Sequence, residues 1–191
     1  ETNATKKLEH GPLAKVPVKD IEPSAPTRDY LDYLFPDAKD PFIGHQALVL
    51  EVLTHINEAQ YQLIILHGIV KIGKTAFLRT VVNQLKSPPH ILYQQASNLP
   101  TLFDFYKEVL LFFNETPKDK PTNPSHEIIR CLSSHRCIII VDGIEQWFQE
   151  KKLASEYKKT ASEYLQLFQE VAGIRHKSCV ILAGRCKPNG L

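Results

Sequence analysis

The feature that most constrains the fold of this chain is a turn sequence between an apolar run and a helical pattern. Residues 61–67, YQLIILH, form a short apolar run that stops at Gly68, and the triplet Gly73-Lys74-Thr75 follows. After Thr75, apolar side chains recur at helical spacing, which predicts a strand, a loop and a helix in that order. The spacing from Gly68 to Thr75 fits the pattern GxxxxGK[ST].

That pattern has a chemical reason. The backbone N–H groups of such a loop surround a phosphate group, and we expect Gly68 and Gly73 to supply the backbone freedom that the turn requires. Lys74 would reach the β- and γ-phosphate oxygens, and the hydroxyl of Thr75 would ligate Mg²⁺. The helix that begins here would point its positive end at the same phosphates. The sequence therefore predicts a nucleotide-binding phosphate loop.

The fold class follows from the arrangement of apolar runs. Four short, unbroken apolar runs alternate with helical patterns, which is typical of parallel strands that are covered on both faces. We predict an α/β fold in three layers, with a mostly parallel sheet between helices. The predicted strands are 61–67, 90–95, 136–142 and 178–184, and the predicted helices lie at about 45–58, from 75 to near 87, 102–113, 124–132 and 157–173.

The chain divides into two parts by composition. Residues 1–41 contain six of the 13 prolines and little apolar periodicity, so we expect an extended arm or linker, with one helical turn near residues 30–34. Residues 42–191 would form the nucleotide-binding core. Asn123 before Pro124 has the sequence of a helix N-cap followed by proline at the first helical position.

The overall composition gives no indication of a nucleic-acid or membrane partner. The net charge is +2, which is too small to indicate nucleic acid or a membrane surface. No apolar run approaches the roughly 20 residues that span a bilayer. Four cysteines occur without a CxxC pair, so we expect small buried side chains in a reducing compartment and a cytoplasmic protein.

Two further segments provide charged groups at strand ends. The run CIIIVD ends in Asp142, where a carboxylate would join the Mg²⁺ shell. Glu145 follows, and it would either polarise the attacking water or cap the next helix. The run CVILAG is followed by Arg185, a candidate γ-phosphate sensor, because a guanidinium binds phosphate through two hydrogen bonds.

These pieces, in this order, resemble the STAND class of P-loop NTPases and related AAA+ ATPases. PFIGHQALVLEVL looks like the FxGRxxEL entry segment, and ILHGIVKIGKTAFLRTV looks like the Walker A segment of that class. SSHRCIIIVDGIEQWFQ is similar to the Walker B segment of bacterial NB-ARC-type proteins, and its Asp-Gly-x-Glu spacing is similar to that of NACHT domains. HKSCVILAGRCKP resembles the sensor segment.

The resemblance implies a switch that binds ATP or ADP with Mg²⁺. In that class the ADP form is closed, the ATP form oligomerises to signal or defend the cell, and slow hydrolysis resets the switch. By position, Phe42 and Ile43 match the segment that lies against adenine, and Asp142 and Arg185 match the Mg²⁺-shell carboxylate and the sensor arginine. The phosphate loop corresponds to residues Gly68, Ile69, Val70, Lys71, Ile72, Gly73, Lys74, Thr75 and Ala76.

The sequence also departs from the family pattern. His45 stands in place of the usual arginine, Val70 and Lys71 in place of two glycines, and Ala183-Gly184 in place of Thr-Ser. The family also needs a fifth strand, a small helical subdomain and a winged helix, and the missing strand would leave the Walker A strand at an open edge. We therefore expect more chain than these residues.

The sequence leaves two other functions open. One is a DNA-linked AAA+ ATPase of the origin-recognition or transposition-regulator kind, which shares the entry segment and the phosphate loop; the small net charge disfavours it. The other is a nucleotide-binding scaffold without useful turnover, which the altered loop would allow. The candidate catalytic residues are Lys74, Asp142, Glu145 and Arg185, with Thr75 and Asp142 as the Mg²⁺ ligands.

Overall fold

The computed structural model describes residues 31, 33–35, 44–85, 90–148 and 154–191. The four predicted strands and five predicted helices follow one another along the chain as the apolar runs predict, and one further helix lies at Glu145–Phe148. In chain order they are α1 (Gln46–Asn57), β1 (Leu63–His67), α2 (Lys74–Asn83), β2 (His90–Gln95), α3 (Leu102–Phe112), α4 (Pro124–Ser134), β3 (Cys137–Asp142), α5 (Glu145–Phe148), α6 (Ala154–Gly173) and β4 (Cys179–Gly184).

The four strands of the described residues form one parallel sheet in the order β1-β4-β3-β2. The predicted α/β class with a parallel sheet is therefore confirmed. Because the strands are parallel, their carboxyl ends meet at one edge, which is where ligands bind in open α/β sheets. In this edge His67 pairs with Gly184, and Asp142 pairs with both Ala183 and Gln95.

The alternation of side chains along β3 shows that helices cover both faces. Ile138 and Ile140 point into one cluster, which we call the α1–α2 cluster, and Cys137, Ile139 and Val141 point into a second, the α3–α6 cluster. The α1–α2 cluster also contains Leu31, Leu34, Phe35, Val49, Val52, Leu53, Ile56, Phe77, Leu78, Val81, Val82, Leu85, Ile91, Cys179, Ile181 and Ala183. The helix residues of the α3–α6 cluster include Leu102, Phe105, Tyr106, Val109, Ile128, Leu132, Trp147, Tyr164, Leu167, Phe168 and Val171.

Helix starts follow local sequence rules in the second half of the chain. Thr101 and Asp104 form a reciprocal capping box at the start of α3. The side chain of Asn123 accepts a hydrogen bond from the backbone N–H of His126, with Pro124 at the first position of α4, as predicted. No helix in the described ranges is both long and apolar enough to cross a membrane.

The cysteines are mostly core residues. Cys131, Cys137 and Cys179 are buried, and burial raises the pKa of the Cys137 and Cys179 thiols to about 12, so both remain neutral at physiological pH. The expectation of burial is wrong for Cys186, which is exposed just after β4. That segment has left the sheet, so neighbouring strands no longer cover it.

Candidate nucleotide site

The loop from Gly68 to Gly73 connects β1 to α2 through a left-handed turn. Lys71 has φ +64° and Gly73 has φ +98°, so the chain is left-handed at both positions. Gly68 is not in the left-handed region, so the left-handed part of the turn is formed by Lys71 and Gly73. A glycine suits position 68 because there is little room for a side chain: a Cβ there would lie 3.3 Å from Cγ2 of Ile72. At Lys71, a residue with a side chain has a left-handed backbone conformation, and its steric strain is one that a glycine would avoid.

The start of α2 differs from the starts of α3 and α4. Its N-cap, Gly73, makes no side-chain cap, and its first turn contains no acidic residue. The first backbone N–H groups of a helix lack partners within the helix and attract an anion. Together with the turn of the preceding loop, this helix start has the form that a phosphate group requires.

Lys74 lies across the mouth of the loop. Its Nζ donates hydrogen bonds to the carbonyl oxygens of Gly68, at 2.8 Å, and Ile69, at 3.1 Å. These contacts hold the ammonium group beside the turn where phosphate oxygens would bind. The lysine is therefore positioned by the loop's own backbone.

Thr75 and Asp142 come together although 67 residues separate them. The Thr75 hydroxyl donates to Oδ2 of Asp142 at 2.8 Å, while the backbone N–H of Gly143 donates to Oδ1 at 2.8 Å. A hydroxyl and a carboxylate are hard oxygen ligands, and Mg²⁺ commonly takes one or two such protein groups and completes its shell with phosphates and water. The residues present thus fit Mg²⁺, with Thr75 and Asp142 as its protein ligands.

The turn after Asp142 is fixed to the neighbouring strand. The backbone N–H groups of Gly143 and Ile144 both donate to the carbonyl oxygen of Ala183, at 2.9 and 3.1 Å. Gly143 has φ +78°, which a glycine adopts without strain. On the other side of β4, the N–H of Gly68 donates to the carbonyl of Gly184 at 3.2 Å. β4 therefore joins the phosphate loop to the carboxylate turn.

Glu145 and Arg185 form a contact that the sequence did not predict. The Arg185 Nε lies 3.0 Å from Oε1 of Glu145, and the backbone N–H of Arg185 donates to Oε2 at 3.2 Å. The side chain of Glu145 is 19 % exposed and that of Arg185 is 54 % exposed. Both carboxylate oxygens of Glu145 thus face Arg185, and the two roles considered for this residue, polarising water and capping a helix, stay predictions.

Gly184 makes this contact sterically feasible. A Cβ at this position would lie 2.6 Å from Cγ1 of Ile144 and 3.1 Å from Oε2 of Glu145. A glycine at this position therefore has a local steric reason. It allows α5 to pack directly against the end of β4.

The remaining predicted residues have different positions. Val70 and Ile72 expose their side chains, by 53 % and 56 %, so only their backbone fits the predicted phosphate contact. Ala76 packs its side chain against the α1–α2 cluster. Phe42 and Ile43, the predicted adenine contacts, lie outside the described residues, as does the predicted boundary between arm and core.

Sequence reasoning missed two polar residues beside Asp142. The hydroxyl of Tyr93 donates to Oδ2 of Asp142 at 3.4 Å, and Nε2 of Gln95 donates to the same hydroxyl at 3.0 Å. The available signal was their place at the carboxyl end of β2, next to the strand that ends in Asp142. Polar side chains at that edge of a parallel sheet are candidates for a site.

Comparison with known proteins gives the family of the chain. The family model described as "AAA domain" matches residues 57–187, which is more than half of the chain. This chain belongs to the AAA domain family. The matched range includes the loop, Asp142 and Arg185.

A curated relative is found in a cyanobacterium. An uncharacterized WD repeat-containing protein of Nostoc sp. is 29 % identical over 166 residues, which cover 78 % of this chain and 13 % of that protein. The chain therefore corresponds to a small part of its relative.

Several solved structures share the fold. The Aeropyrum pernix ORC2 protein in ADPNP–ADP complexes has a TM-score of 0.53 at 14 % identity, covering 80 % of this chain and 44 % of that one. The A. pernix ORC1 protein in complex with DNA also has a TM-score of 0.53, at 16 % identity over 82 % and 43 % of the two chains. For Cdc6p of Pyrobaculum aerophilum the TM-score is 0.51 at 14 % identity, over 81 % and 43 %. At these identities the likeness concerns the fold, and the chain spans less than half of each.

Proposed function

We propose that this AAA domain is the nucleotide-binding part of a STAND-type switch ATPase. It binds ATP or ADP with Mg²⁺, hydrolyses ATP slowly and associates with further copies, or with a larger signalling or defence assembly, in its ATP form. The single observation that carries the proposal is the 2.8 Å contact between the Thr75 hydroxyl and Asp142, because it brings the two expected Mg²⁺ ligands together at the start of α2.

In the proposed site, different groups bind the phosphates and the Mg²⁺ ion. Backbone N–H groups of the loop and Lys74 hold the phosphates, and Thr75 and Asp142 hold Mg²⁺. When bound, Mg²⁺ neutralises charge on the phosphate oxygens. Arg185 lies at the end of the strand that contacts both the loop and the carboxylate turn, where a guanidinium can distinguish ATP from ADP through the γ-phosphate.

Slow hydrolysis is supported by the contact between Glu145 and Arg185. A general base must accept a proton from the attacking water, and it needs an oxygen lone pair directed at that water. In this protein both oxygens of Glu145 contact Arg185. A carboxylate whose two oxygens both contact Arg185 is held away from the attacking water, which favours a long-lived ATP form and a switch.

The STAND assignment is supported by the order of the motifs and by the Nostoc relative. That relative contains WD repeats. A nucleotide domain joined to a repeat array is compatible with the STAND class. The net charge of +2 gives no comparable support to the DNA-linked alternative.

The proposal is tested by measuring how tightly the purified chain and its variants bind ATP and ADP. Lys74→Ala should weaken binding of ATP and ADP by at least about 100-fold, because an ammonium forms strong charge-assisted hydrogen bonds with phosphate oxygens. Binding is measured by isothermal titration in the presence of Mg²⁺. The matched control is Lys71→Asn, which removes a charge from the same loop and keeps a residue type that tolerates positive φ.

The same samples report turnover. Bound ATP that converts to ADP over minutes to hours supports a switch, whereas ATP that persists unchanged supports a scaffold without turnover. Equal nucleotide affinity in the wild type and Lys74→Ala would contradict the proposed phosphate site.

A further inference from the structure

A short segment upstream of the nucleotide domain is built into its core. Leu31, Leu34 and Phe35 have exposed fractions of 4 %, 7 % and 0 %, and the N–H of Phe35 donates to the carbonyl of Leu31 at 2.8 Å. Leu31, Tyr33 and Leu34 are helical, which confirms the predicted turn at this point. These side chains belong to the α1–α2 cluster and so pack with the helix that follows the phosphate loop.

Phe35 contacts the aromatic ring of Tyr93. The ring centroids lie 4.7 Å apart with an angle of 59° between the planes, which is a favourable tilted arrangement. Tyr93 sits on β2 and pairs with Ile140, close to the end of β3. A fully buried ring at Phe35 therefore limits where the ring of Tyr93 can lie.

The other end of Tyr93 reaches the Mg²⁺ carboxylate. Its hydroxyl accepts a hydrogen bond from Nε2 of Gln95 at 3.0 Å and donates one to Oδ2 of Asp142 at 3.4 Å. Oδ2 is the oxygen that also accepts from Thr75. This O–O distance of 3.4 Å is longer than the roughly 2.5–3.0 Å of a usual O–H···O hydrogen bond, so the position of the ring decides how well the hydroxyl reaches Oδ2.

We propose that Tyr93 is a positioning residue for the Mg²⁺-binding carboxylate of Asp142, and that Phe35 fixes Tyr93 from the opposite side. The N-terminal segment is thereby coupled to the Mg²⁺-dependent part of nucleotide binding. Groups that orient metal ligands contribute to metal affinity without touching the metal. The inference rests on the proposed function in one respect, since it requires that nucleotide binding depends on Mg²⁺.

The experiment measures ADP affinity of the full chain at a series of Mg²⁺ concentrations and in EDTA. Tyr93→Phe keeps the ring and removes the hydroxyl, and it should raise the Mg²⁺ concentration for half-maximal effect about three- to tenfold. Affinity in EDTA should stay unchanged, because the hydroxyl bonds to Asp142, which acts through Mg²⁺ in the proposed site. The control is Tyr106→Phe, which removes a hydroxyl that accepts from the N–H of Lys118, away from the site.

Phe35→Leu tests the second step of the coupling. It should shift the Mg²⁺ dependence in the same direction by a smaller factor, and it should add little in a chain that already contains Tyr93→Phe, because the two residues act through one contact. Phe168→Leu, the same substitution at a fully buried site of the α3–α6 cluster, should leave the Mg²⁺ dependence unchanged. Thermal unfolding of every variant reports loss of stability separately.

The outcomes separate this inference from the proposed function. Unaltered Mg²⁺ dependence in both Tyr93→Phe and Phe35→Leu would overturn the coupling while leaving nucleotide binding intact. An equal shift in Phe168→Leu would also overturn it, since the effect would then follow general destabilisation. A wild-type chain that binds no nucleotide with or without Mg²⁺ would remove the proposed function and this inference together.

Discussion

The phosphate loop and the centre of the sheet supply the two halves of the proposed nucleotide site, but they are built differently. The loop follows β1, which lies at the edge of the described sheet, and it exposes Ile69, Val70 and Ile72 by 72 %, 53 % and 56 %. The carboxylate follows β3, an interior strand in which residues 138–141 are at most 1 % exposed. One half is determined by local backbone geometry and the other by the packed core.

Because the loop is exposed and β3 is buried, substitutions in the two regions should affect nucleotide binding and folding stability to different degrees. Substitutions in the exposed loop can change how phosphate is held with little effect on folding, because few packed contacts are lost. Substitutions near the end of β3 change the packing of both clusters as well as the position of Asp142. The comparison predicts that effects on nucleotide affinity and on stability can be obtained separately.

The largest expected effect is on stability, at β3. Ile140→Ala removes a fully buried side chain and should lower the free energy of unfolding by about 2–5 kcal/mol. Ile72→Ala, the same change in the loop, should alter it by no more than about 0.5 kcal/mol. Urea unfolding followed by circular dichroism measures both. Comparable losses for the two variants would refute the separation of loop and core.

A smaller effect is expected where the two halves meet. Gly184→Ala places a methyl group against Ile144 and Glu145, and it should lower the free energy of unfolding by about 1–3 kcal/mol, as overpacking does. The matched control is Gly173→Ala, since a Cβ at Gly173 would meet no atom within 4 Å. Chemical denaturation of the two variants gives the comparison. A loss in Gly173→Ala as large as that in Gly184→Ala would show that steric contact is not the cause.

The smallest effect is expected within the loop itself. Lys71→Gly relieves the left-handed strain at φ +64°. Glycine also raises the entropy of the unfolded chain, and once this cost is subtracted the substitution should stabilise the protein by about 0.5 kcal/mol. Ala59→Gly, at φ +50° and outside the site, should give a similar gain and leave nucleotide affinity unchanged. Thermal melting and ADP titration measure the two quantities. A clear destabilisation by Lys71→Gly would mean that the lysine side chain contributes to the fold.

Much of the fold could be predicted because each strand is a short apolar run with polar or turn residues at both ends. The run at His90–Gln95 has the bounds that the sequence predicts. Helix α5 was not predicted, since its four described residues, Glu145–Phe148, are too few to show a helical period. Local sequence patterns therefore predict only those helices and strands that are long enough to show a helical or strand repeat.

The site was predictable in its parts and less so in its contacts. Lys74, Thr75 and Asp142 follow from the spacing of the loop and the strand end. The pairing of Glu145 with Arg185 joins residues 40 positions apart and depends on β3 and β4 being neighbours. The contact from Tyr93 to Asp142 depends on β2 being the other neighbour. Strand order, which a single sequence does not contain, decides both.

The ring stack beside the carboxylate turn has an optical consequence. The chain contains one tryptophan, Trp147, which is 3 % exposed and stacks on Tyr164 at 3.7 Å with nearly parallel planes. Its indole N–H donates to the carbonyl of Leu99 at 2.8 Å. Because the indole belongs to the helix that directly follows Asp142 and Gly143, its fluorescence originates from a single place at the ligand edge of the sheet. The protein therefore carries an intrinsic, label-free probe of the segment that would hold Mg²⁺.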